Sequence, residues 1–371
     1  MNETTYICSE CGAILSSEEA HEFEGQFYCD NCLDDLTIIC DCCSKRIFRD
    51  NAEGTEYITL CSRCYDDCYT TCDECGCLIH NSNVYYSNDS DYGYCESCYE
   101  RIKEKPIHSY SYKPEPLFYG AESELYMGIE LEIDKGGEID ENAEELINLA
   151  NCSEERIYCK HDGSLSDGFE IVSHPMSLVY HTQKMNWEEI FEKAIEMHYA
   201  SHNTCTCGFH IHCNRDAFGK DTATQDARIG RLIYFTERHW DELVRFSRRS
   251  VEALDRWAAR YATISNTTQE TYKKAKEKRM GRYVAINLEN NETIEFRLFR
   301  GTLRYETFIA TLQLVSEICR LAITMTDNQM ESLSWCEFVS RIDNKKYPEL
   351  IAYLKSKRLY VNVISDEIEE E

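Results

Sequence analysis

Basic residues are scarce in this chain: 39 Lys and Arg stand against 67 Asp and Glu, a formal net charge of -28 over 371 residues. Nucleic-acid affinity rests on neutralising phosphates, so the balance argues against a general DNA- or RNA-coating role. Long hydrophobic runs are missing too. No uninterrupted stretch reaches the roughly 18 apolar residues of a membrane-spanning helix. The N-terminus, MNETTYICSECG, lacks a basic stretch followed by an apolar one and does not read as a secretory leader. Prolines number only five, and three of them fall in one short stretch. Apolar residues are not lacking, at 43%, with 12% aromatic, which excludes a disordered acidic chain. The expectation is a soluble, cytoplasmic protein of two or three domains, with no membrane contact.

Cysteine is abundant and unevenly placed, with 15 of the 22 in the first 98 residues. Without a secretory leader, such density points to metal thiolates rather than disulfides. Cys8-x2-Cys11 is followed by Cys29-x2-Cys32, Cys40-x2-Cys43 by Cys61-x2-Cys64, and Cys72-x2-Cys75 by Cys95-x2-Cys98. Cys8, Cys40 and Cys72 recur every 32 residues, so this is an internal triplicate. Each unit offers four thiolates, enough to close a tetrahedral zinc site with no position left for water, which makes about three structural zincs. Units of this size cannot bury enough surface by themselves, and the metal supplies their folding energy. The pattern reads as three zinc-ribbon or LIM-like fingers over about 5–36, 37–68 and 69–102, each ending in a short helix. Cys42, Cys68 and Cys77 fall outside the pattern and read as bystanders. Residues 1–105 carry a net charge of -15, so a protein partner suits the fingers better than nucleic acid.

Residues 105–117, holding the three clustered prolines, read as a linker. From 118 to 371 the pattern changes to strands interspersed with longer helices: strands at Tyr126–Asp134, Ile157–Lys160, Phe169–Ser173, 207–213, 283–288 and 293–299, and helices at 176–199, 223–246, 305–325 and 335–355. Without regular βαβ alternation this is an α+β domain with a mainly antiparallel sheet. The last residues, DEIEEE, read as a solvated acidic end. Residues 228–304 are net +7 inside an acidic protein, which suggests a local anion site.

Residues i and i+2 of a strand share a face. Glu130-x-Glu132 therefore sets two carboxylates side by side in an otherwise apolar strand, an expensive arrangement unless cations compensate it. His210-x-His212 aligns two imidazoles the same way. Glu295-x-Arg297 aligns a carboxylate and a guanidinium, with Arg300 just beyond, and HDGSLSDGFE adds Asp162, Ser164 and Glu170. Oxygen ligands with one imidazole suit magnesium or manganese, and neighbouring arginines suit phosphate. No GxxxxGK[ST] loop is present.

The ordered set GIELE, KHDGSLSDGFEIVSHP, GFHIHCN, RYVAINL and ETIEFRLFRGT resembles the amidoligase family, carboxylate–amine ligases related to glutamine synthetase and glutamate–cysteine ligase. The resemblance covers about residues 118–325 and leaves the fingers out. It implies a glutamine-synthetase-like domain whose curved antiparallel sheet forms a funnel for ATP and two or three Mg2+ or Mn2+ ions. By motif, Glu132 and Glu170 would hold the metal nearer a carboxylate substrate, while Glu130, His210 and Glu295 would hold the metal bridging the ATP phosphates. Arg297, with Arg282 and Arg300, would face phosphates, and Asn287 and His212 would orient substrate. Only Glu170 matches where glutamine synthetases use further carboxylates, so the number of metals stays open. The implied reaction joins a carboxylate and an amine, small-molecule or peptide, through an acyl phosphate. Other readings are a non-catalytic zinc-finger protein with a degenerate ligase domain, a phosphotransferase on the same fold, and a zinc hydrolase at the His-x-His pair. Cys205, Cys207 and Cys213 around that pair read as small buried thiols.

Overall fold

The computed structural model describes residues 5–86, 92–103, 105–120, 125–202, 204 and 206–361. Cys205 and the acidic tail lie outside the described residues. The chain divides into two compact units, Met1–Glu104 and Lys105–Glu371.

The first unit is the triplicate. Each repeat opens with a hairpin carrying the first cysteine pair: Tyr6–Ile7 with Ile14–Leu15, Thr37–Ile39 with Arg46–Phe48, and Tyr69–Thr71 with Leu78–His80. The turn inside each hairpin takes a left-handed residue at the same place, Gly12, Ser44 and Gly76, whose amide donates to the carbonyl of Cys8, Cys40 and Cys72 respectively. A second hairpin leads to the second cysteine pair and a helix: Asp30–Leu36, Ser62–Cys68 or Glu96–Lys103. In every repeat the amide of the third cysteine donates to the first sulfur, Cys29 to Cys8 at 3.4 Å, Cys61 to Cys40 at 3.3 Å and Cys95 to Cys72 at 3.4 Å. Such donors stabilise thiolate: the amides of Cys11 and Cys29 bring Cys8 down to about 6. The joints repeat as well. Arg49 donates to the Asp35 carbonyl at 2.9 Å, and Asn81, 32 residues later, donates to the Asp67 carbonyl at 3.1 Å.

A zinc–sulfur bond of about 2.3 Å sets the edges of a tetrahedral thiolate site near 3.8 Å. The sulfur separations match: Cys8–Cys29 and Cys11–Cys29 at 3.9 Å, Cys43–Cys61 at 3.9 Å and Cys75–Cys95 at 3.8 Å. A disulfide would bring a pair to about 2.05 Å. Cys8/Cys11/Cys29/Cys32 and Cys40/Cys43/Cys61/Cys64 are therefore tetrads that can hold zinc. The extra thiols lie close to the tetrads. Cys77 groups with Cys72, Cys75 and Cys95, within reach of one ion, while buried Cys98 interacts with the thiols of Cys95, Cys75 and Cys72. Cys42 and Cys68 group with Cys64. Cys42 lies inside the Cys40–Cys43 knuckle, Cys77 directly follows the Cys72–Cys75 knuckle, and Cys68 is one helical turn after Cys64 on helix Ser62–Cys68.

The second unit is an α+β domain on one seven-stranded sheet. Its strands are β1 (Ile107–His108), β2 (Met127–Ile133), β3 (Ile157–Lys160), β4 (Phe169–Ser173), β5 (Gly208–Asn214), β6 (Ile286–Asn287) and β7 (Thr293–Arg300). They lie in the order β1-β3-β4-β2-β5-β7-β6, and every pairing is antiparallel except β1 with β3. Ile129, Leu131 and Ile133 point to one face with Phe209, Ile211 and Phe296, all buried. Helices α1 (Asp140–Asn151), α2 (Leu178–Gln183), α3 (Trp187–Glu196), α4 (Thr222–Arg238), α5 (Trp240–Ser247), α6 (Val251–Trp257), α7 (Thr268–Glu277) and α8 (Tyr305–Thr324) follow in chain order, with three short helices after α8 among the described residues. Phe308 of α8 stacks on Phe209 at 4.7 Å and meets Trp187 and Phe191 of α3 at 5.0 Å, joining helices to sheet. A buried Phe of this kind contributes about 1.5–3 kcal/mol.

Several expectations are corrected. The stretch read as a linker supplies the edge strand β1, because Ile107 finds a buried slot beside Cys159 of β3. The single helix over 176–199 is two, interrupted at residues 184–186, where the Asn186 side-chain Nδ2 donates to the Leu149 carbonyl at 2.8 Å. The helix over 223–246 breaks at His239, and that over 335–355 at the loop before Pro348. The strand at 283–288 is ordered only at Ile286–Asn287. Helix α8 is long and apolar enough to cross a membrane although polar residues interrupt its sequence, but its apolar window is 78% buried inside the domain.

His181 is fully buried, its Nε2–H donating to the Met127 carbonyl at 2.9 Å while Nδ1 accepts the Trp187 indole N–H at 3.3 Å. Only a neutral ring satisfies both, and burial pushes its pKa down to about 4. A depressed histidine stabilises fully above its unfolded value near 6.5, and that contribution is lost as pH falls towards 4. All four tryptophans, Trp187, Trp240, Trp257 and Trp335, lie in the second unit, so indole fluorescence reports its unfolding alone. In denaturant titrations we expect His181→Gln to be less stable than wild type at pH 7, with the gap closing towards pH 4; a pH-independent gap would rule this origin out. A strong zinc chelator is expected to open residues 1–104 to protease while leaving the indole emission unchanged. Protection that survives chelation would show that the fingers fold without metal.

Candidate functional site

The sheet face opposite the apolar core carries the charge. Register alone assembles it: Glu130 of β2 lies opposite His210 of β5, Glu132 opposite Glu170 of β4, Lys160 of β3 opposite Glu170, and His212 opposite Glu295 of β7, which in turn faces Asn287 of β6. Five neighbouring strands and the short edge strand β6 thus deliver four glutamates, two histidines, a lysine and an asparagine to one surface. Glu132, Glu170, His210, Asn287 and Glu295 are all buried.

His210 sits at the centre, Nδ1 3.3 Å from Glu130 and 3.7 Å from Glu295, and Nε2 3.8 Å from Glu132. His212 Nε2 lies 3.3 Å from Glu130 and 4.0 Å from Glu295. Glu130, His212 and Glu295 offer ligand atoms that all fall within 4.8 Å of one another, a group that could hold a metal ion. The Nε2 atoms of both histidines are buried without a hydrogen-bond partner. Buried carboxylates beside imidazole nitrogens lacking protein partners fit a divalent cation. His212, expected only to orient substrate, is therefore as well placed for metal as His210.

Cations partly balance the carboxylates. Lys160 Nζ is 3.4 Å from Glu170, Arg297 pairs with Glu295, and Asn287 donates to Glu295 at 2.8 Å. The amide of Gly208 donates to Glu132 at 2.6 Å. The balance is uneven. Burial and the neighbouring Glu130 push Glu170 well above the usual carboxylate range despite Lys160. Burial also raises Glu132, against the pull of His210 and the Gly208 amide. Although burial opposes it, His212 and His210 hold Glu130 well below that range. Carboxylates split in this way mark a place where further positive charge is accommodated.

Three contributors were not legible in the motifs. Lys160 belongs to no ExE or HxH pattern, and its only signal is the K before HDGSLSDG. Arg249, buried between β5 and β7, donates to the Arg297 carbonyl at 2.6 Å and acts on Glu132. Tyr110, from the supposed linker, puts its ring 5.7 Å from Lys160 Nζ and accepts from Arg282 at 2.7 Å through its hydroxyl. Arg282 thus sits on the rim, not among the carboxylates. Arg300, opposite Gly208, joins Arg248, Arg304 and Lys357 in a separate cationic group, where Arg248 and Lys357 lie 5.8 and 5.3 Å from the Tyr353 ring.

Residues 148–319 match the model of a family described as "Putative amidoligase enzyme". The matched stretch holds Lys160, Glu170, His210, His212, Asn287, Glu295 and Arg297 and stops short of Glu130 and Glu132. Comparison with curated proteins returns no match.

A Cβ at Gly208 would lie 2.6 Å from His210 Nε2 and 3.2 Å from Arg249. Gly208→Ala is expected to push the His210 ring aside and to cost about 1–3 kcal/mol of stability by overpacking, read from denaturant unfolding. Stability equal to wild type would mean the ring is not held in place by this contact.

Proposed function

We propose that the second unit is an ATP-dependent carboxylate–amine ligase of glutamine-synthetase-like fold that forms an amide through an acyl phosphate. One observation carries the reading: four glutamates and two histidines, flanked by Lys160, Arg249 and Arg297, meet in register on one sheet face, and all of them but Glu130 and Glu132 lie in the stretch 148–319 that matches an amidoligase family. Glu132 and Glu170 would hold an Mg2+ or Mn2+ ion near the substrate carboxylate, and Glu130, His210 and Glu295, with His212, a second near the ATP phosphates. Such ions, when bound, offset the repulsion between an anionic nucleophile and a polyphosphate. The substrate carboxylate attacks the γ-phosphorus and ADP leaves; the amine then displaces phosphate from the acyl carbon and loses a proton. Arg297 and Lys160 stand where charge accumulates in these steps. The Arg248, Arg300, Arg304 and Lys357 group would take an anionic end of ATP or acid. The zinc fingers, acidic and small, would recruit or present a protein or peptide partner, and an ATP-consuming reaction of this kind fits a cytoplasmic setting.

The Glu130/His212/Glu295 group also has the three ligands of a hydrolytic zinc centre. That reading gives Glu132, Glu170, Lys160 and Arg297 nothing to do.

Calorimetry of a non-hydrolysable ATP analogue separates the two. Binding by wild type should depend on Mg2+, and Glu132→Gln or Glu295→Gln should weaken it by at least the roughly 10–100-fold that changes in a metal's outer shell already cost. Binding that ignores Mg2+, or variants that bind like wild type, would defeat the ligase reading.

A further inference from the structure

The second finger holds six thiols, not four. Cys40, Cys43, Cys61 and Cys64 form its tetrad, and Cys42, Cys64 and Cys68 form a second group whose sulfurs also lie within 4.8 Å of one another. Cys64 belongs to both. Its sulfur interacts with those of Cys61, Cys43, Cys42 and Cys40, and the Cys68 sulfur with those of Cys42 and Cys64.

The triplicate supplies its own control. Aligned on the cysteine pairs, the place of Cys42 is taken by Glu10 in the first finger and Glu74 in the third. The place of Cys68, four residues after the last tetrad cysteine, is taken by Leu36 and Ile102. Leu36 and Ile102 each pack against the small core of their own finger. An ordinary repeat thus has an acid in the knuckle and an aliphatic side chain on the helix. Only the second finger replaces both with cysteine, and the two replacements meet in space. Cys64 and Cys68, at i and i+4 of helix Ser62–Cys68, share a helix face, and the knuckle brings Cys42 onto that face. The third finger differs: its extra thiol, Cys77, groups with Cys72, Cys75 and Cys95 around the one position already served.

We infer that the second finger binds two zinc ions in one thiolate cluster, Cys64 bridging them. The first ion takes Cys40, Cys43, Cys61 and Cys64, and the second takes Cys42, Cys64 and Cys68, with water completing its tetrahedron. Thiolates are the soft ligands that zinc and other thiophilic d10 ions select. Cys42 and Cys68 are only half-buried, so the second ion is reachable from solvent. It also differs in kind from the other three: three protein ligands leave it an exchangeable position, whereas the closed tetrads have none.

The test counts metal on the full chain. Native mass spectrometry of zinc-loaded protein should give four zincs per chain, Cys42→Ser/Cys68→Ser three, and Cys77→Ser four. Replacing zinc with 113Cd should give four resonances, two of them split by each other through the shared Cys64 sulfur; the splitting should vanish in the double variant. A wild-type count of three or fewer overturns the inference. So does a Cys42–Cys68 disulfide in the zinc-loaded protein, or alkylation of both thiols without loss of any zinc.

Discussion

Four carboxylates on one sheet face are the constraint around which the second unit is built. Two unit charges about 4 Å apart interact by about 4 kcal/mol at an effective dielectric near 20, so Glu130, Glu132, Glu170 and Glu295 cannot all be ionised there uncompensated. The chain answers with Lys160, Arg249, Arg297 and two imidazoles, and the compensation remains partial. Glu170 stays driven towards its protonated form, and Glu132 leans the same way. A face of this kind is a poor investment for stability alone, since apolar residues of similar volume would pack as well. Its persistence in an otherwise apolar strand such as Met127–Ile133 is what makes a functional reading stronger than a structural one.

The same strands hold the opposite face rigid. Because side chains alternate, every glutamate that faces the charge is flanked by an isoleucine or leucine anchored in the core beneath α8. A one-residue slip of β2 would exchange the two sets, turning carboxylates into the apolar core and Ile129 and Leu131 onto the charged face. The neighbouring loop is fixed as well: Asp134 accepts the Asp167 amide at 2.7 Å and the Ser166 amide at 3.3 Å. Gly168 passes so near the Ile133 carbonyl that a Cβ would lie 2.0 Å from it. The loop that leads Asp162 towards Glu132 and Glu170 is therefore part of the scaffold rather than a free strap.

Much of this was legible because period-2 patterns report faces directly. Glu130-x-Glu132, His210-x-His212 and Glu295-x-Arg297 named the strands, and the two-residue spacing named the face. The sequence could not reveal which strands are neighbours, and so it missed Lys160, whose role depends on β3 lying beside β4. Arg249 was hidden for another reason: it follows a helix, and its buried environment comes from β5 and β7, which are distant from it in sequence on either side. Tyr110 was lost to composition. Clustered prolines read as a linker, yet Ile107 beside them had a buried slot to fill. The helix breaks at residues 184–186 and at His239 were not legible, because apolar periodicity runs on through both.

The fingers were legible for the opposite reason: their structure is dictated by ligand spacing rather than by long-range packing. Their cores are small, with Cys8, Leu15 and Tyr28 the buried apolar residues of the first and Cys40, Leu60 and Cys64 those of the second. Burial of that size does not offset the entropy of ordering some 30 residues at about 1–2 kcal/mol each, a difference that zinc held by the cysteine tetrads would supply. Repetition then becomes informative, because three copies under one constraint expose whichever departs from it. Gly12, Ser44 and Gly76 keep the left-handed turn although one is not glycine, and Arg49 and Asn81 keep the joint with different side chains. Those substitutions preserve a contact by other means. The exchange of an acid and an aliphatic residue for Cys42 and Cys68 preserves nothing that the other fingers use, and it gathers two further thiols at a sulfur already committed to the tetrad.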